Sequence, residues 1–223
     1  LVAQRLSVVI PALNEAGVIR AALEALAPLR ARGHEVIVAD GGSEDDTAQI
    51  AAAVCDNVVL AARGRAAQMN AGAAAAGGDA CVFLHADTRL PALADELIFN
   101  SLQTHLWGRF DVEIDSRDRM LKAVAWAMNL RSRLTGIATG DQAIFVRREA
   151  FRGFPEIALM EDIAFSTAMR RLGPPACRRE TVLTSGRRWE SRGVLRTILL
   201  MWRLRLMYFL GARPEALARL YDK

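Results

Sequence analysis

Apolar residues along the chain fall into short closed runs separated by segments with helical spacing. Leu6-Ser7-Val8-Val9-Ile10-Pro11 is closed by proline, the pattern of a buried strand. Asn14 follows where a helix N-cap belongs, with Glu15 in the first turn. Ile19, Ala22, Leu23 and Leu26 then recur at helical spacing until Gly33. Glu35 to Ala39 predicts a second strand, stopping at Asp40-Gly41-Gly42. A helix from Thr47 to Ala53, a strand at Val58 to Leu60, a helix from Arg65 to Ala76 and a strand from Ala80 to Leu84 continue the series. Strands alternating with helices predict an α/β fold, with a mostly parallel central sheet and helices on both faces. Ligands in such sheets bind beyond the carboxyl ends of the strands, where Asn14-Glu15, Asp40 and His85-Ala86-Asp87 fall.

After Pro91 the rhythm changes. Trp107 to Ile114 alternates like a strand, Met120 to Leu134 reads as an amphipathic helix, and Gln142 to Val146 as another strand. Glu161 to Leu172 predicts a helix ended by Gly173-Pro174, and Thr181 to Thr184 a last strand. Val194 to Leu210 is a long apolar helix carrying Arg196, Arg203 and Arg205, and a short helix closes the chain. A membrane-spanning placement would bury at least one of those arginines at high cost. The expectation is packing against protein, a homodimer contact, or a peripheral membrane contact.

Composition adds limits. With 223 residues, 52% of them apolar, the chain is long enough to bury a large core as one domain. The net charge of +4 is too small to predict a nucleic-acid partner. Its arginines gather after residue 117, which suits phosphate, an anionic substrate, an anionic membrane surface or simply a solvated face. The three cysteines show no metal or disulfide spacing, and Leu1 to Arg5 lacks a signal-peptide layout. A reducing, cytoplasmic setting is expected, at most peripheral to the inner membrane face.

The turn after the first strand, Pro11-Ala12-Leu13-Asn14-Glu15, has no glycine, so it is no dinucleotide fingerprint, and the chain has no P-loop. Asp87, just past an apolar strand, offers another way to hold phosphate, by placing a hard cation against a diphosphate. The alternative for Asp87 is a helix N-cap. Asp40 has a turn-capping alternative, and Glu161 and Asp162 an alternative as ordinary first-turn acids.

Five fragments then occur in a telling order. They are Val8 to Glu15, Asp40 to Thr47, Gly64-Arg65-Ala66-Ala67-Gln68-Met69-Asn70-Ala71-Gly72, His85-Ala86-Asp87, and Glu161-Asp162. Together they resemble the inverting glycosyltransferases of family 2, which have the GT-A fold. Leu84 to Thr88, Gly140-Asp141-Gln142-Ala143 and Arg188-Trp189 resemble the short stand-alone bacterial members, some of them associated with arsenosugar biosynthesis.

The resemblance implies a nucleotide-sugar-binding half at 1–90, an acceptor half at 91–190 and a helical extension at 191–223. It implies that Pro11, Asn14, Glu15, Asp40, Arg65, Asn70, Ala86, Arg188 and Trp189 bind the nucleotide sugar. Asp87, with His85, would bind Mn²⁺ or Mg²⁺, and Gly140, Asp141, Gln142 and Glu161 would face the acceptor. Asp162 would be the general base of a single displacement with inversion, taking the proton of an acceptor hydroxyl. The donor would be a UDP-sugar and the acceptor a small or lipid-linked molecule.

Two departures matter. His85 stands where the family's metal motif has its first acid, and imidazole suits Mn²⁺ better than Mg²⁺. Ser185 stands where processive members carry glutamine, which argues against a polymer synthase. The rival readings are a non-catalytic nucleotide-sugar-binding module, favoured by His85, and a nucleotidyltransferase, which would want a glycine-rich first loop.

Overall fold

The computed structural model describes residues 4–221, apart from the side chains of residues 188, 191 and 192. Its elements are β1 (Leu6–Ala12), α1 (Ile19–Ala25), α2 (Ala27–Ala31), β2 (Glu35–Asp40), α3 (Thr47–Ala52), β3 (Asn57–Leu60), α4 (Arg65–Ala75), β4 (Ala80–Phe83) and β5 (Thr88–Arg89). Then follow α5 (Ala94–Leu102), β6 (Trp107–Asp115), α6 (Arg119–Thr135), β7 (Phe145–Arg147), α7 (Glu161–Arg170), β8 (Ala176–Ser185), α8 (Arg187–Arg192), α9 (Val194–Phe209) and α10 (Pro214–Tyr221). One sheet of eight strands runs β3-β2-β1-β4-β7-β6-β8-β5. β3, β2, β1 and β4 are parallel, as is the β6–β8 pair, while β7 lies antiparallel between β4 and β6.

The strand sequence explains why both faces are covered. Successive side chains of a strand point to opposite faces. Leu6, Val8, Ile10 and Ala12 of β1 join one core with Val36, Val38 and Val82. Val9, Ile37, Cys81 and Phe83 face the other way into a second core. Strands buried on both faces read as continuous apolar runs, which is how they are written here. Burial pushes the Cys81 thiol up to about 11, so it behaves as an unreactive core residue.

α4 lies close on β1 because Gly72 leaves room for the Val9 side chain. A methyl group at Gly72 would overlap Val9. Gly72→Ala is expected to destabilise the chain by about 1–3 kcal/mol through overpacking, despite a gain of about 1 kcal/mol in helix propensity. A chemical denaturation midpoint equal to that of the parent would contradict this packing.

Several local expectations are corrected. α1 begins only at Ile19, with Val18 in the capping position, so Asn14 caps no helix and Glu15 is not in a first turn. Asn14 instead turns the chain, with φ +55°. The helix predicted through to Gly33 is interrupted at Leu26, where Pro28 opens α2. Asp87 caps no helix, because Thr88–Arg89 form β5 and the next helix begins at Ala94. Gln142 to Val146 is not one strand: Gly140–Gln142 is a 3₁₀ turn and Ala143 has φ +44° before β7. The last strand is longer than Thr181 to Thr184, and the basic segment after it forms the helix α8.

Candidate active site

In the parallel half of the sheet, β1 has β2 on one side and β4 on the other. Successive connections therefore diverge there, and a crevice opens beyond the carboxyl ends of β1 and β4. The loops after β1, β2 and β4 supply one rim.

That rim is tied together by its own polar side chains. Asp40, only 3% exposed, accepts from the Gly42 and Ser43 amides at 3.0 Å each and from the Ser43 hydroxyl at 2.5 Å. The Ser43 hydroxyl accepts from the Asn14 amide at 2.9 Å, and the Asn14 side chain accepts from the Glu44 amide at 2.9 Å. The Glu15 amide donates to the Thr47 hydroxyl and the Ala16 amide to Asp45. Beneath them Pro11, half-buried, pairs with Ala39 in the strand register. Gln68 of α4 donates to the Ala12 and Ala39 carbonyls at 2.6 and 3.1 Å, pinning β1 to β2. Sequence reasoning missed Gln68; an amide among the alanines of the Arg65 to Ala76 helix was the available signal.

The segment after β4 divides two cavities. Ala86 and Asp87 line one of about 210 Å³, together with Gly17, Asp115 and Arg187. His85 lines another of about 600 Å³. The pair expected to share a metal thus faces different spaces. Among the described residues no group of three or more His, Cys, Asp or Glu side chains is arranged around a common point. Asp87 itself suits a hard cation: its carboxylate is exposed, and the Thr88 hydroxyl touches it at a loose 3.4 Å. Asp115 shares its cavity and was missed, since an acid at a strand end carries no motif.

The larger cavity gathers the acids of α7. Met160, with φ +72°, turns the chain so that Glu161 and Asp162 open the helix toward the cavity. A left-handed methionine is strained, and such strain is characteristic of functional sites. Glu161 is 3% exposed, and burial followed by the Asp162 charge pushes its carboxyl above the usual range, with Arg65 opposing. Arg65 stands 3.4 Å from Glu161; burial disfavours its charge, but Glu161, Asp162 and Asp141 more than restore it. Asp162 is held through both oxygens, from the Gly140 amide at 3.0 Å and the Ile163 amide at 2.8 Å. His85 Nδ1 lies 3.4 Å from Asp141. Its Nε2 is buried without a hydrogen-bond partner among the described residues and occupies the space a side chain at Gly140 would need.

Other expected site residues have structural work. Asn70 lines neither cavity; its amide exchanges hydrogen bonds with Phe154 at 2.7 and 2.9 Å, tying α4 to the segment before α7. Gln142 is fully buried and closes the 3₁₀ turn with Thr139 as a reciprocal cap. Trp189 is half-buried on the main core and also lines the larger cavity. The side chain of Arg188 lies outside the described residues.

The far wall of the larger cavity is built by α6 and α9, including Arg131 and Arg205, which sequence reasoning did not place there. α9 packs one face on Ile137, Met160 and Ile163 through Leu204 and its neighbours. The opposite face exposes Leu195, Leu199, Trp202, Leu206 and Phe209. No helix among the described residues is long and apolar enough to cross a membrane.

A mixed sheet with a crevice at the ends of its parallel strands, and an acid pair opening a helix beyond it, are the layout expected of a glycosyltransferase of the GT-A fold. The profile described as glycosyl transferase family 2 matches residues 7–159, and the chain belongs to that family.

Solved structures agree on the fold. Glucosyl-3-phosphoglycerate synthase from Mycobacterium tuberculosis, in complex with Mn²⁺, UDP and glucosyl-3-phosphoglycerate, is 23% identical with a TM-score of 0.60, over 81% of this chain and 71% of that one. S. aureus TarS 1-349 with UDP-GlcNAc is 18% identical with a TM-score of 0.66, over 81% of this chain and 58% of that one. The mycobacterial synthase with Mg²⁺ and UDP is 24% identical with a TM-score of 0.59, over 81% of this chain and 70% of that one. No curated protein matches. Asp162, Arg188 and Arg205 lie beyond the residues matched by the family profile.

Proposed function

We propose that the chain transfers a sugar, with inversion and without processivity, from a UDP-sugar to a hydroxyl of a small or lipid-linked acceptor. The observation that carries this reading is Asp162, fixed by two backbone amides on the wall of a cavity large enough for an acceptor. Each of its oxygens keeps a further lone pair to take a proton from the attacking hydroxyl. Arg65 stands beside it, 3.4 Å from Glu161, and adds a positive charge to the same wall.

The rim formed by Pro11, Asn14, Glu15 and Asp40 faces the nucleoside, and Asp40 acts by shaping the turn whose amides it holds. Asp87 would hold Mn²⁺ or Mg²⁺, whose chemistry is to draw charge from the departing diphosphate. The mycobacterial synthase, solved with UDP and either metal, supports the choice of nucleotide and ion. By resemblance Arg188 would contact the donor and Trp189 its sugar, Trp189 from the wall of the larger cavity that Gly140 and Asp141 also border.

The test is a thermal-shift panel of UDP, GDP, CDP and TDP, each with and without Mn²⁺. UDP with Mn²⁺ is expected to raise the melting temperature most. If no nucleotide stabilises the chain, the transferase reading is lost.

The exposed apolar stripe of α9, flanked by exposed Arg196 and Arg203, supports a peripheral contact with an anionic surface, the inner face of the cytoplasmic membrane. Co-sedimentation with vesicles of anionic lipid is expected, and Leu199→Glu, on the exposed stripe and outside the cavity lining, should abolish it. Equal sedimentation of that variant would remove the stripe from the contact.

A further inference from the structure

Two arginines of the larger cavity take no part in the transfer just described. Arg131 comes from α6 and Arg205 from α9. Nε and Nη2 of Arg131, and Nε of Arg205, are buried with no hydrogen-bond partner among the described residues. Guanidinium donors left unmade in a buried place are costly, and two such cations lining one space are costlier still. Burial, and then the charge of Arg205, pulls Arg131 down to about 10, while burial also lowers Arg205. Asp162 favours both charges and Asp141 that of Arg205, but none of these buried donors bonds to either carboxylate.

The rest of this wall is apolar: Met120, Val124 and Met128 on α6, and Ile198, Met201 and Trp202 on α9. The buried donors point to a ligand that is anionic, and the side chains around them to one whose body is apolar or compact. Planar guanidinium donors match carboxylate and phosphate oxygens in pairs. Because α9 lies beyond the residues the family profile matches, one half of this arrangement is not a general feature of that profile.

We propose that Arg131 and Arg205 together form an oxyanion subsite, which holds a phosphate or carboxylate group of the acceptor. The inference rests on the transferase reading, since that reading makes the cavity the acceptor's. It gives the two cations their missing partner and sets the acceptor hydroxyl against Asp162.

The test titrates hexyl phosphate, hexanol and inorganic phosphate into the full chain, with and without UDP and Mn²⁺. Hexyl phosphate is expected to bind at least about tenfold more tightly than hexanol, the gain of one or two charge-assisted hydrogen bonds. Arg131→Met and Arg205→Met should each erase that difference and leave UDP affinity unchanged. Their melting temperatures should not fall, because each substitution removes an unpaired buried donor.

Inorganic phosphate bound as tightly as hexyl phosphate, with the same dependence on the arginines, supports a compact anionic acceptor. Tighter binding of hexyl phosphate supports a lipid-like one. Hexanol binding as well as hexyl phosphate would overturn the subsite. So would an affinity that ignores both substitutions, a parallel loss of UDP binding, or a marked loss of stability in the variants. Nucleotide stabilisation without any anion effect sinks this inference alone. Anion binding without any nucleotide effect sinks the transferase reading instead.

Discussion

Replacing Asp162 with asparagine should lower kcat by about 10²–10⁴-fold, the usual contribution of a positioned base, while affinity for UDP with Mn²⁺ stays as in the parent. The substitution keeps the shape of the side chain. Its carbonyl oxygen can still accept one of the two amides that Asp162 holds, from Gly140 or Ile163, so the start of α7 should survive. What is lost is the ability to take a proton. Titration calorimetry for UDP and turnover with a competent acceptor would separate these outcomes. Full turnover in Asp162→Asn would remove the residue from proton transfer and leave it as a brace for the 140–142 turn.

Asp87→Asn should have the second large effect. A Lewis acid contributes several kcal/mol to such transfers, and each 1.4 kcal/mol is a factor of ten, so kcat/KM should fall by about 10²-fold or more. The substitution leaves an exposed position exposed and disturbs no core contact. The distinguishing readout is UDP affinity with Mn²⁺ against UDP affinity in chelator. The parent should show a gap between them and the variant should not. A gap that persists in the variant would move the metal to another group, with Asp115 of the same cavity the first to examine.

The parallel half of the sheet was legible because β1, β2 and β4 are buried on both faces, which leaves an unbroken apolar word such as Val36 to Ala39. The interruptions were not legible. Asn14 is a good N-cap residue and also one of the few that tolerate positive φ, and only the neighbouring Ser43 and Glu44 decide between the two roles. Asn70 had the composition of a binding residue, yet the segment it grips is distant in sequence.

Glu161 and Asp162 were legible only through the order of motifs, as two first-turn acids look alike anywhere. The pairing of Arg131 with Arg205 could not be read from the sequence. Each is one of several cations on its helix, and the space they share exists only once α6 and α9 are packed. Arg205 was visible as an arginine out of phase with Arg196 and Arg203, and that mismatch is the trace of its inward direction.

The loops after β1 and β2 are fastened to each other before any ligand arrives, through Asp40, Ser43, Asn14 and Glu44. Encounter with a nucleotide therefore requires no slow closure on that side, and little backbone freedom is surrendered there. Association should run at similar speed for different nucleoside diphosphates. Discrimination among bases would then reside in residence time, with the preferred nucleotide recognised by how slowly it leaves.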